Sequence, residues 1–175
     1  MKAAWWQPLW QDERGASAIE FAFLAPILLM VLMGTATLFD LFRNAQNVEK
    51  TTFTVGDILS RQTSVNDASL AALLSLMRHT VTTADDGGLR VSSITRKGGK
   101  LILDWSKIVG STASVGSSAI PYGVVPDLAN GDSIILTESF VPHSAMVAAF
   151  GLDVVTFQAR AVHRPRFVGT IVFAN

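Results

Sequence analysis

Arg14-Gly15-Ala16-Ser17-Ala18-Ile19-Glu20-Phe21 opens an apolar run that reaches Phe39, and no charged residue stands between Glu20 and Asp40. Residues 21–39 are Phe, Leu, Ile, Met, Val and Ala, interrupted only by Pro26, Gly34, Thr35 and Thr37. About 20 apolar residues rising ~1.5 Å each cross a hydrocarbon core of about 30 Å, so the run predicts one membrane span. Glu20 is the anomaly at its head. A carboxylate near hydrocarbon costs on the order of a few kcal/mol at depth and persists where it has a partner or a task.

Two readings compete for the run. A secretory signal peptide has a basic leader, an apolar core of about 7–15 residues and a small-residue cleavage site. Gly34-Thr35-Ala36 supplies such a site, and cleavage near Ala36 would release a secreted or envelope binding domain. Against this, the leader carries Asp12 and Glu13 beside Lys2 and Arg14, Glu20 abuts the core, and Pro26 interrupts it. Under the anchor reading Trp5, Trp6 and Trp10 sit at the headgroup level, and the leader's small positive bias gives only a slight orientation preference.

A cut between Gly15 and Ala16 would create an amino group only a few residues from Glu20. One subunit's carboxylate would then neutralise a neighbour's ammonium inside lipid. The order Gly15, four residues, Glu20-Phe21 and an apolar helix resembles the processing motif of type IV prepilins. Asp57-Ile58-Leu59-Ser60-Arg61-Gln62 and Arg164-Pro165-Arg166-Phe167 resemble the TadE-like minor pilins of tight-adherence pili, a likeness that spans most of the chain.

The resemblance implies a cytoplasmic leader over residues 1–15, a transmembrane helix over 16–39 and a periplasmic pilin-like α+β domain over 40–175. It implies as partners a prepilin peptidase, other pilins or minor pilins, the pilus assembly machinery and the lipid of the inner membrane. The processing residues are then Gly15, Ala16, Glu20 and Phe21. Ala18, Ala22 and Ala25, spaced by four and three, give a smooth stripe where another helix can approach, although alanines are also simply good helix formers.

With 175 residues, the part beyond the span suits one compact domain. Formal net charge is zero, so nothing favours nucleic acid as a partner. The chain has no cysteine, which removes disulfides, thiol catalysis and cysteine-bound metals together. His79, His143 and His163 are dispersed and read as surface or cap residues, and no nucleophile elbow or phosphate-binding glycine motif is present. No cofactor, metal or catalytic residue is expected.

Beyond Asp40 the apolar positions Leu41, Phe42, Ala45, Val48, Val55, Ile58 and Leu59 recur every three or four, with polar residues between. The helix is therefore expected to leave the membrane unbroken and to lay an amphipathic face on a small antiparallel sheet. Asp57 and Arg61, four apart, read as an ordinary surface pair.

Residues 64–67 predict a turn, and Leu70, Leu73, Leu74, Met77 and Val81 a core-facing helix ended by Asp85-Asp86-Gly87-Gly88. Residues 89–96 and 101–105 predict a hairpin over Gly98-Gly99, with Leu101, Leu103 and Trp105 on one face, and its lysines keep an edge soluble. Residues 106–132 read as a long loop, 134–141 as a strand, and 142–151 as a connection with an apolar patch at Met146, Val147 and Phe150. The alternation at 155–161 marks a strand within the sheet, and 167–173 an edge strand or a tail along the domain.

Overall fold

The computed structural model describes residues 15–81, 86–115, 119–147 and 154–174. The leader up to Arg14 with its tryptophans, Asp85, the serines at 117 and 118, and Phe150 lie outside the described residues. The chain divides into two units at the Phe39/Asp40 boundary.

Helix α1, Ala16–Ser60, runs through both stretches of sequence, with Pro26 inside it. Proline contributes no N–H, so the carbonyl four residues back, on Ala22, lacks its usual helical donor. Thr35 and Thr37 donate their hydroxyls to the carbonyls of Val31 and Met33, each at 2.8 Å, so these polar residues satisfy themselves within the apolar run. Over its best window this helix has a mean hydropathy of 2.2, long and apolar enough to cross a membrane.

In the second unit, Val48, Val55 and Leu59 of α1 are buried, and their spacing of seven and four places them on one helical face. Helix α2, Asp67–Thr80, starts at a reciprocal cap: the Asn66 side chain accepts from the Ser69 N–H at 2.8 Å, and Ser69 Oγ accepts from the Asn66 N–H at 3.0 Å. Its Leu70, Leu73, Leu74 and Met77 are buried, as their spacing predicts.

Strands β2 (Gly88–Lys97), β3 (Lys100–Gly110), β4 (Ser133–Ser144) and β5 (Val154–His163) form one antiparallel sheet in the order β3-β2-β4-β5. Two-residue strands β1 (Ser64–Val65) and β6 (Val172–Phe173) pair in parallel apart from it. The fold is thus α+β: a long apolar N-terminal helix whose outer part packs on a small antiparallel sheet. Gly98 and Gly99 take φ of 59° and 77°, the left-handed geometry a two-residue hairpin turn demands. Helices α1 and α2 cover one face through Leu89, Val91, Ile135, Val141 and Ala159.

Several details depart from the sequence reading. The strand after the glycine turn runs on to Gly110, and Ile94 pairs with Leu103 while Ser93 pairs with Trp105, so Asp104 is an extra, bulged residue. That bulge reverses the alternation. Leu101 packs with the far-face cluster and Trp105 with the helix-face cluster, not together. Residues 106–132 are not a bare loop: after β3 they form a short helix α3, Thr112–Val115, and a 3-10 turn, Tyr122–Val124. Ile120, Val125 and Leu128 then cover the far face over Ile94, Ile134, Leu136 and Val162.

Strand β4 continues through Pro142 to Ser144, and the segment read as a turn at 64–67 contains β1. Strand β5 is an edge strand rather than an interior one, since alternation reports which face is buried and not which strand lies alongside. Of residues 167–173 only the last two join a strand.

Candidate assembly surface

The N-terminal part of α1 exposes apolar side chains on every side, with Phe21 66%, Phe23 72% and Met30 62% accessible. A helix apolar all round is stable only when protein or lipid covers it. At about 100° per residue, Ala18, Ala22 and Ala25 fall within about 60° of one another, whereas Glu20 lies on roughly the opposite side. The small-residue stripe and the carboxylate therefore address different neighbours. Glu20 is exposed and, among the described residues, has no ion-pair partner. Ala16, where the helix begins, is one turn before Glu20 on the same side. Gly15 is exposed, and a Cβ there would meet nothing within 4 Å.

In the second unit the two later motifs meet. Asp57 accepts from Arg61 at 2.9 Å, forming the expected surface pair, and its other oxygen accepts from Arg166 at 2.5 Å. The Arg166 N–H donates to the Ser60 carbonyl at 2.8 Å, which ties the C-terminal segment to the end of α1. Both arginines are half exposed, so each pair contributes less than about 1 kcal/mol. Gly56 is buried one residue earlier, where the His163 ring lies against the helix backbone.

All three histidines are expected to be surface or cap residues; His79 is exposed near the end of α2, its Nδ1 2.7 Å from the Ser75 carbonyl. His143 is buried, with Nε2 2.8 Å from Asp40 Oδ2. Asp40 is held in turn by the Asn44 side-chain amide, which donates to its backbone carbonyl at 2.9 Å and to Oδ1 at 3.0 Å. His163 packs edge-on to Phe53 and, among the described residues, finds no hydrogen-bond partner for either ring nitrogen. Burial pushes its pKa below the ordinary 6.5; the nearby Asp57 carboxylate acts in the opposite sense, and the Arg166 guanidinium adds to the lowering.

Sequence reasoning missed a buried charge cluster on the far face. Arg90 pairs with Glu138 at 2.6 Å, Arg160 reaches the same carboxylate at 3.3 Å, and the Arg90 guanidinium lies 5.6 Å from the Phe140 ring centre. A lone charged residue within each of two apolar strands, Glu138 in β4 and Arg160 in β5, was the available signal. Among the described residues, no group of three His, Asp or Glu is placed to hold a metal.

The model of the TadE-like protein family matches residues 15–57, from the glycine through Glu20 and the apolar run to Asp57. The match covers the N-terminal part of the chain, and residues 58–62 and the 164–167 motif lie outside it. No curated protein and no solved structure matches the chain.

Proposed function

We propose that this chain is a non-enzymatic minor pilin or pseudopilin of a tight-adherence pilus, made as a precursor and cut between Gly15 and Ala16 by a prepilin peptidase. Residues 16–39 anchor it in the inner membrane, and residues 40–175 form a periplasmic domain. Assembly works by exchange of cover. In the bilayer, lipid satisfies the all-round apolar helix; in the pilus, neighbouring helices replace lipid, with close approach along Ala18, Ala22 and Ala25. Glu20 pairs with the free amine of an adjacent subunit, and that pairing sets the register between them.

The observation that carries this reading is the match to the TadE-like family beginning at Gly15 and running through an exposed apolar helix with an exposed carboxylate, Glu20, at its head. Comparing the chain and its Gly15→Leu variant in the native envelope tests it. The unsubstituted chain should lose its leader and the variant retain it, because a large side chain fills the space the peptidase needs. Equal processing of the two would contradict the proposal.

A further inference from the structure

The end of the domain that carries Asp40 also carries the described flanks of the β4–β5 connection. Thr52 Oγ1 lies 2.5 Å from Ser139 Oγ, and Asp40 lies 2.8 Å from His143, so strand numbers rise as helix numbers fall. Ala145–Val147, which follow β4, and Val154, which opens β5, therefore lie at the Asp40 end of the sheet. The His143–Asp40 contact, with Asn44 bracing the aspartate, pins the hairpin base where the uncharged run of sequence ends.

The two ends of the sheet are chemically unlike. The β2–β3 turn carries Lys97 and Lys100. At the β4–β5 end Met146 is 67% and Val154 64% exposed, Ala145 and Val147 are partly exposed, and exposed Phe42 and Arg43 stand on α1 beside Asp40. The sequence joining Val147 to Val154 is Ala-Ala-Phe-Gly-Leu-Asp, with a single charge. Apolar side chains with a cation just outside them suit the boundary between headgroups and acyl chains, where the arginine stem lies along apolar surface and its head reaches phosphate.

We infer that the described flanks of this connection, Ala145–Val147 and Val154, dip into the surface of the same bilayer that α1 crosses, as a second, shallow contact. The occupant is lipid, because the surface is continuous with the point where the span would leave hydrocarbon. The inference rests on the proposed span.

The natural absence of cysteine allows single-site labelling of the full chain. Met146→Cys, Lys100→Cys and Leu28→Cys, each carrying an environment-sensitive fluorophore, are reconstituted in vesicles of phosphatidylcholine and phosphatidylglycerol. Lipid-borne nitroxide should quench the Met146 label several-fold more than the Lys100 label, and aqueous iodide should do the reverse. Iodide quenching of Met146 equal to that of Lys100 overturns the inference, as does protection of Met146 from both quenchers, which means that protein covers it. The Leu28 label separates the two levels: its quenching by lipid with none at Met146 sinks the hairpin contact alone, whereas no lipid quenching at Leu28 removes the span and this inference with it.

Discussion

Gly56 and His163 approach so closely that a Cβ on the glycine would stand 2.5 Å from the ring's Nδ1 and 2.8 Å from its Cε1. The ring has little room to yield, since it lies edge-on to Phe53 with its centre 4.7 Å from that ring. Overpacking of this kind costs about 1–3 kcal/mol, while alanine in place of glycine gains a helix about 1 kcal/mol. Gly56→Ala should therefore lower stability by up to about 2 kcal/mol in thermal unfolding. In a His163→Ala background the same change should become stabilising, and additive effects in the double-mutant cycle would refute the contact.

His163 also gives the domain a pH dependence of known sign. Its folded pKa is lowered below 6.5, first by burial, so the unfolded chain binds its proton at a pH where the folded chain does not. This contribution to stability is constant above the unfolded pKa and falls as pH drops through that value towards the lowered one. His163→Gln should flatten the stability profile across that acidic window. A slope unchanged in the variant would assign the dependence to other groups.

On the other face of the sheet, Arg90 and Glu138 are both nearly inaccessible and 2.6 Å apart. Removing Glu138 takes the carboxylate away from a buried guanidinium, at a cost of about 3–5 kcal/mol. Glu138→Ala should lose about that much in denaturant unfolding, and Arg90→Met with Glu138→Leu together should lose less than the single change. The reverse order would show that the pair itself, rather than the buried charge that remains, controls stability.

Local chemistry made some of this architecture readable. Asn66 with Ser69 signals a helix start, and Gly98-Gly99 signals a turn, because the required backbone groups and φ values are carried by those residues alone. The bulge at Asp104 has no such signature: its effect, separating Leu101 from Trp105, follows from pairing with β2. The edge position of β5 and the pairing of β1 with β6 likewise depend on partners far along the chain. The residues of the candidate assembly surface are close together in sequence, since Gly15 directly precedes α1 and Glu20 and the apolar run lie on it. The contact of His143 with Asp40, 103 positions away, is not local in sequence.

Glu20→Gln keeps the size of the side chain and removes its charge. The variant should remain in carbonate-washed membranes, because the apolar run is intact, yet pili should be greatly reduced when counted by electron microscopy. Normal piliation would show that pairing of Glu20 with a neighbour's amine does not set subunit register.

The most direct measurement is the intact mass of the mature protein taken from its own envelope, read together with its N-terminal sequence. A chain beginning at Ala16, with α1 retained, is the predicted result. A chain beginning at Met1, or at Thr37 with the apolar helix discarded, would contradict assembly through a processed N-terminal helix.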